Sequence, residues 1–281
     1  MSNLAGKVAV VTGASRGGGR GIALALGESG ATVYVTGRST QGKSTAENIP
    51  GTIEETAELV TSRGGLGIPV QCNHLIDAEV AALFAQVQQE QGHLDLLVNN
   101  AWGGYENYNG DHWDDQTKFS DPFWQQSMQR WEGMFTAGVR SHLLSSRFAV
   151  PLMLPQRQGL IVNTTAWDRD NYLGNLFYDL AKNTVNRMAF GMALELREYN
   201  IAAITLAPGF MRTERVVAAL GESLDLNITE SPEYIGRAIA ALASDANIRE
   251  KSGKVLTAGD LAAEYGFTDV DGRLIPPFRL E

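Results

Sequence analysis

Cysteine is almost absent: Cys72 is the only one in 281 residues. No intrachain disulfide and no multi-cysteine metal site can form, and a reducing, cytoplasmic compartment is expected. Histidine is scarce too. His74, His93, His112 and His142 lack metal-ligand spacing, and zinc needs three or four convergent ligands, so no metal is expected. Positive charge runs short: 23 Lys and Arg against 32 Asp and Glu leave a formal net charge of −9. That balance disfavours nucleic acid and anionic membranes as partners, but one phosphate-bearing ligand needs only local cations. No apolar run approaches the ~18 residues of a membrane span. Val8–Val11, broken by Thr12-Gly13, is too short for a signal-peptide core. Repeats, low-complexity tracts and Pro/Ser-rich linkers are missing as well, so residues 1–281 read as a single domain.

What is present alternates between strand and helix. Val8–Val11, Ala31–Thr36, Leu66–Gln71, Leu94–Asn99, Leu160–Asn163 and Ile201–Leu206 are short apolar runs of strand length. Between them, Ile22–Leu26, Thr52–Arg63, Asp77–Gln91, Phe135–Leu154 and Leu176–Tyr199 predict helices. Strands rich in Val and Ile and apolar on both faces belong to a parallel sheet covered by helices on each side. The fold class expected is therefore α/β, a Rossmann-type doubly wound parallel sheet in a three-layer αβα arrangement. Two segments break the alternation: 101–130, which holds seven aromatics, and 210–232; a C-terminal extension covers about 257–281. Both loops follow carboxyl ends of strands, the ligand edge of such a sheet.

The turn after the first strand reads Thr12-Gly13-Ala14-Ser15-Arg16-Gly17-Gly18-Gly19-Arg20-Gly21. Glycines there permit a tight turn and close backbone approach to a pyrophosphate, and the following helix offers unpaired N–H groups. Gly13-x-x-x-Gly17-x-Gly19, Asn99-Asn100-Ala101, Tyr178-x-x-x-Lys182 and Pro208-Gly209 with Thr213 occur in that order. Together they resemble the short-chain dehydrogenase/reductase family, over about Gly6 to at least Lys254. The aromatic after Asn99-Asn100-Ala101, the run Gly138–His142 and the tail Ser252–Arg273 resemble one subgroup of it. The resemblance implies a hydride transfer between nicotinamide and a carbonyl or alcohol, in a homodimer or homotetramer. It places cofactor contacts at Gly13, Ser15, Arg16, Gly17, Gly19, Asn73, Asn99, Ala101, Tyr178, Lys182, Pro208, Gly209 and Thr213. Asn73 stands where the family has an Asp touching adenine, and His74 beside it is read as structural.

Cofactor choice has a physical argument. A site selective for NAD(H) places a carboxylate at the end of the second strand. Gly37 stands there, followed by Arg38, and Arg16 lies within the glycine loop. Cations without a carboxylate suit a 2′-phosphate, so NADP(H) is expected in preference to NAD(H).

Protonating a carbonyl oxygen needs an acid, and a tyrosine near pKa 10 needs a cation to tune it. Lys182 follows Tyr178 by one helical turn. Leu176, Leu180, Met188, Met192 and Leu196 form the expected core stripe of this helix, leaving the pair off it. The resemblance puts Thr165 in the place of a Ser that polarises the substrate oxygen, and Gly138 in the place of an Asn that helps relay protons to the lysine. Trp102, Tyr105, Trp167 and Phe210 are expected to line a hydrophobic substrate pocket; the alternative is that these aromatics pack the loop against itself. Asp168-Arg169-Asp170 reads as a solvated loop. A regulator that binds NADP(H) with little turnover is the competing function, supported by Gly138 and Trp102 and opposed by the intact Tyr178/Lys182 pair. An isomerase or dehydratase would want a larger substrate domain.

Overall fold

The computed structural model describes residues 2–43, 49–167 and 171–279, so Asp168-Arg169-Asp170 lies outside the described residues. Seven parallel strands form one sheet in the order β3-β2-β1-β4-β5-β6-β7. They are β1 Val8–Val11, β2 Thr32–Gly37, β3 Leu66–Gln71, β4 Leu96–Asn99, β5 Gly159–Thr164, β6 Ile201–Ala207 and β7 Val255–Thr257. The helices are α1 Gly17–Glu28, α2 Ile53–Ser62, α3 Asp77–Gln91, α4 Met128–Phe135, α5 Ser141–Met153, α6 Leu176–Leu196, α7 Glu214–Leu220, α8 Pro232–Ser244 and α9 Ala258–Tyr265. The chain is thus the expected single α/β domain of Rossmann type.

Alternation along each strand divides the core into two layers, because successive side chains face opposite ways. Ala9, Val11, Leu96, Val98, Leu160, Val162, Ala202 and Ile204 pack with α1, α2, α8 and α9. Val8, Val10, Leu97, Ile161, Ile201 and Ala203 pack with α3, α5 and α6. Register pairs Asn99 with Asn163. The strand order reverses between β1 and β4, where a crevice opens at the carboxyl ends of the strands.

Three differences from the sequence reading have clear causes. The expected Phe135–Leu154 helix starts earlier, as α4, and crosses a π-helical turn at Thr136–Arg140 before continuing as α5. A one-residue insertion of that kind leaves no mark in apolar periodicity. On α6 the buried face is Phe177, Ala181, Lys182, Val185, Ala189, Ala193 and Leu196, whereas Leu180 is 41% exposed. The expected stripe is therefore corrected: small alanines face the sheet so that the helix can approach it, and Lys182 lies on the buried side. Helix α1 begins at Gly17, five residues before the expected Ile22, despite three consecutive glycines of poor helix propensity.

Candidate functional site

The glycine loop is built by close approach. Gly13 has φ of +66°, and a methyl there would lie 2.9 Å from the Ala101 Cα. A methyl on Gly19 would lie 2.3 Å from the Gly13 carbonyl oxygen. Thr12 and Asn100, not singled out from sequence, bolt this turn to the end of β4. Thr12 Oγ1 accepts from the Asn100 and Ala101 N–H groups at 2.9 and 3.0 Å. Asn100 Nδ2 donates to the carbonyls of Thr12 and Gly13 at 3.1 and 3.2 Å. Their signal was the second Asn of Asn99-Asn100 and the Thr before Gly13. Asn99 itself is fully buried, and its Nδ2 donates to Ser146 and Asn163 at 2.9 and 2.8 Å. Its side chain ties β4 to β5 and α5.

The start of α1 accepts negative charge. The Gly17 N–H donates to the Glu214 carboxylate at 2.8 Å, and the Arg16 N-cap supplies no side-chain cap. A carboxylate on that first-turn donor is a chemical stand-in for a phosphate oxygen. Thr213, the N-cap of α7, brings its methyl within 3.6 Å of where a Gly17 Cβ would be. At the far end, a methyl on Gly37 would lie 3.2 Å from Ile53 Cγ2, a tight contact at the tip of β2. Arg16 bonds Ser39 Oγ and the carbonyls of Pro50 and Gly51 at 3.1, 3.1 and 2.8 Å. Arg38 pairs with Glu106 at 2.5 Å. Ser15 is buried beside Gly37. Asn73 donates its backbone N–H to Glu79 at 2.7 Å, and its Oδ1 accepts from Leu75. His74 is buried on Thr36 Oγ1 at 2.8 Å, and burial lowers it to about 4. The glycine cradle and an anion-accepting helix start fit the pyrophosphate of a nicotinamide dinucleotide.

Tyr178 and Lys182 lie one turn apart on α6, whose start is capped by Asn175 Oδ1 accepting from the Tyr178 N–H at 3.0 Å. Asn175 Nδ2 donates to the Phe119 carbonyl at 2.8 Å, pinning the aromatic loop to the helix. Rings enclose Tyr178: Trp102 and Phe119 edge-on, each at 5.5 Å, and Tyr105 at 6.3 Å. Lys182 Nζ is 5.5 Å from the Tyr178 ring centre and 3.9 Å from that of Trp102. Thr165 is buried, with Oγ1 donating to the carbonyls of Ala166 and Lys182, both at 3.3 Å. Dehydration dominates the titration of the pair. Burial lifts Tyr178 well above its ordinary value, with Tyr105 adding to it, and brings Lys182 down to about 7. The lowering of Tyr178 expected from its lysine neighbour is therefore outweighed in this arrangement.

Of the four expected pocket residues, Trp102 and Tyr105 meet at Tyr178 with their rings 6.1 Å apart. Trp167 and Phe210 are partly buried and make no ring contact with that cluster among the described residues. Loop 101–130 also packs on itself. Trp113 is fully buried, Arg130 stacks 5.3 Å from its ring and pairs with Asp114 at 2.6 Å. Beneath Pro208-Gly209, a methyl on Gly209 would lie 2.7 Å from Glu230 Oε2. Glu230 was missed from sequence; it is 1% exposed, and burial raises it to about 8. Among the described residues no group of three His, Cys, Asp or Glu could hold a metal, and no helix is long and apolar enough to cross a membrane.

Comparison with known proteins follows the same lines. The family described as short chain dehydrogenase matches residues 7–222. The mouse protein Dehydrogenase/reductase SDR family member 1 is 37% identical over 291 residues, spanning 99% of this chain and 88% of that protein. A short chain dehydrogenase of Mycobacterium thermoresistibile, solved by crystallography, superposes with a TM-score of 0.82 at 25% identity, covering 99% of this chain and 95% of that one. A 7α-hydroxysteroid dehydrogenase complexed with NADH and 7-oxo glycochenodeoxycholic acid gives a TM-score of 0.72 at 25% identity, covering 91% of this chain and 93% of that one.

Proposed function

This chain belongs to the short-chain dehydrogenase family and is an oxidoreductase moving a hydride between a nicotinamide cofactor and a C=O or CH–OH group; from that premise we propose that it prefers NADP(H) to NAD(H) and acts on a hydrophobic carbonyl or alcohol. Gly13, Gly17, Gly19 and the start of α1 would hold the pyrophosphate. Arg38, with Arg16 and Ser39 beside it, would hold the 2′-phosphate. Pro208, Gly209 and Thr213 would border the nicotinamide side. When bound, the nicotinamide gives or takes the hydride.

Tyr178 then supplies the proton in the reducing direction and takes it back in oxidation. Lys182 carries the positive charge that offsets phenolate formation, and Thr165 polarises the substrate oxygen. Trp102, Tyr105 and Phe119 exclude water from the phenol and give an apolar substrate a matching wall. The observation that carries the reading is that Tyr178 and Lys182, one turn apart, both pack on the Trp102 ring. Exposed Leu143, Leu180, Phe190 and Leu194 on α5 and α6 support a homodimer or homotetramer through helix faces. The lone cysteine, buried, suits a cytoplasmic setting.

The test is cofactor oxidation with a panel of hydrophobic ketones, aldehydes and quinones, NADPH against NADH. Tyr178→Phe is expected to lower kcat by about 10²–10⁴-fold, the range for a lost general acid, while NADPH still binds. Arg38→Ala is expected to erase the preference for NADPH. Binding of NADPH without turnover across the panel would instead favour a cofactor-sensing role.

A further inference from the structure

Gly138 lies within the π-helical turn, directly behind the active pair. A methyl built on it would lie 2.2 Å from Trp102 Cζ3 and 2.4 Å from Cε3. A methyl on Gly104 would lie 2.6 Å from Trp102 Cζ2. The indole is thus held between two glycine backbones, and no residue with a side chain fits at position 138 while it stays. The face of that ring lies 3.9 Å from Lys182 Nζ, closer than the 5.5 Å to the Tyr178 ring. Among the described residues nothing hydrogen-bonds or ion-pairs with this ammonium. Two titratable side chains face it: Tyr178 from its own helix, and His142 from α5, which burial holds neutral near 3. Among the described residues no carboxylate does.

From this geometry we infer that Trp102, seated in the notch that Gly138 leaves, is the positioning residue of Lys182 and that its π face holds the lysine's charge. The inference rests on the reading of Lys182 as the amine of the active pair. A buried ammonium must find negative potential somewhere, and the centre of an indole supplies it without a hydrogen-bond acceptor. Trp102 and Gly138 are 36 residues apart yet form one unit. The ring occupies the space that a polar side chain at 138 and its water would need, so the lysine is dry and fixed rather than hydrated and relayed.

The test needs no substrate. Lysine carrying ¹³C at Cε is incorporated, the Lys182 signal is assigned by its loss in Lys182→Arg, and its titration is followed by NMR. Desolvation places the wild-type midpoint near 7. The ring favours the charged form, so Trp102→Leu is expected to move the midpoint down by about half a pH unit or more, roughly threefold or greater in ionisation constant. Trp102→Phe keeps a π face and is expected to restore most of it. Gly138→Ala, which expels the ring, is expected to reproduce the Leu shift. Folding of each variant is checked by thermal melting. An unchanged or raised midpoint in folded Trp102→Leu overturns the inference, whatever the carbonyl panel shows. Failure of that panel alone leaves the titration result standing.

Discussion

Arg38 is legible in the sequence as a cation following a strand end without a carboxylate, but its partner is not. No pattern links it to Glu106, 68 residues on, with which it pairs in the structure. The pair is exposed, with 37% and 53% of the two side chains accessible, and such pairs are worth roughly 0–1 kcal/mol. A 2′-phosphate carries more charge and more acceptor oxygens than one carboxylate, so it can displace Glu106. Glu106→Gln is expected to leave the melting temperature within about a degree, given that small contribution, and to tighten NADPH about two- to fivefold at low salt with NADH unaffected. Isothermal titration with the two cofactors reads this out; equal changes for both would remove Arg38 from the 2′-phosphate site. Tyr178 and Lys182 were legible for the same reason as Arg38: residue type at fixed spacing on one element. Trp102 with Gly138, and Thr12 with Asn100, were not, because each couple is made by tertiary approach.

At the level of elements, the apolar runs that announced β1, β2, β4, β5 and β6 hold because those strands are buried on both faces, while β3, at the sheet's edge, is only partly buried. Helix α8 escaped the reading, and its packing shows why. It crosses α1 on glycine rather than on large apolar residues. A methyl on Gly21 would lie 2.1 Å from the Pro232 carbonyl carbon, and one on Gly236 would lie 2.7 Å from the Ala25 Cβ. Those backbones touch, and hydropathy does not register contact made by missing side chains. Gly191 on α6 is the contrast, with nothing within 4 Å of an added methyl. Gly21→Ala is expected to destabilise by about 3 kcal/mol or more through overpacking, lowering Tm by roughly 2–4 °C per kcal/mol. It should also weaken NADPH binding, since α1 carries the glycine loop. Gly191→Ala is expected to be neutral or stabilising by up to about 1 kcal/mol, as helix propensity dictates. Thermal unfolding of both variants tests the argument: equal melting temperatures would mean that α1 and α8 can part without cost.

Across the whole molecule, the C-terminal extension fastens the second substrate-side loop to the sheet. Sequence marked both segments as departures from the βα alternation but gave no hint that they meet. Asp269, 1% exposed, accepts from the Ser231 and Val270 N–H groups, each at 2.8 Å, from Ser231 Oγ, and from Arg212 at 3.2 Å. Arg273 donates to the carbonyls of Leu226, Asn227 and Thr229 at 3.0–3.1 Å. The Tyr234 hydroxyl donates to the Ile275 carbonyl at 2.9 Å. These bonds close a ring from β6 through α7 to the tail, and α7 carries the Glu214 that reaches Gly17. Removing Asp269 strands the buried Ser231 N–H and part of the Arg212 charge, a loss of about 3–5 kcal/mol for a broken buried pair. The ring opens where it is least buried, in α7 and the turns after it. Asp269→Ala is therefore expected to lower Tm, to speed proteolytic cleavage within 214–228, and to raise the KM for NADPH. Asp269→Asn keeps one acceptor oxygen, and so two of the four acceptor roles, and should fall between it and the wild type. Limited proteolysis followed by mass spectrometry locates the first cut. If cleavage begins elsewhere, or at an unchanged rate, the tail is not what holds the loop against the cofactor face.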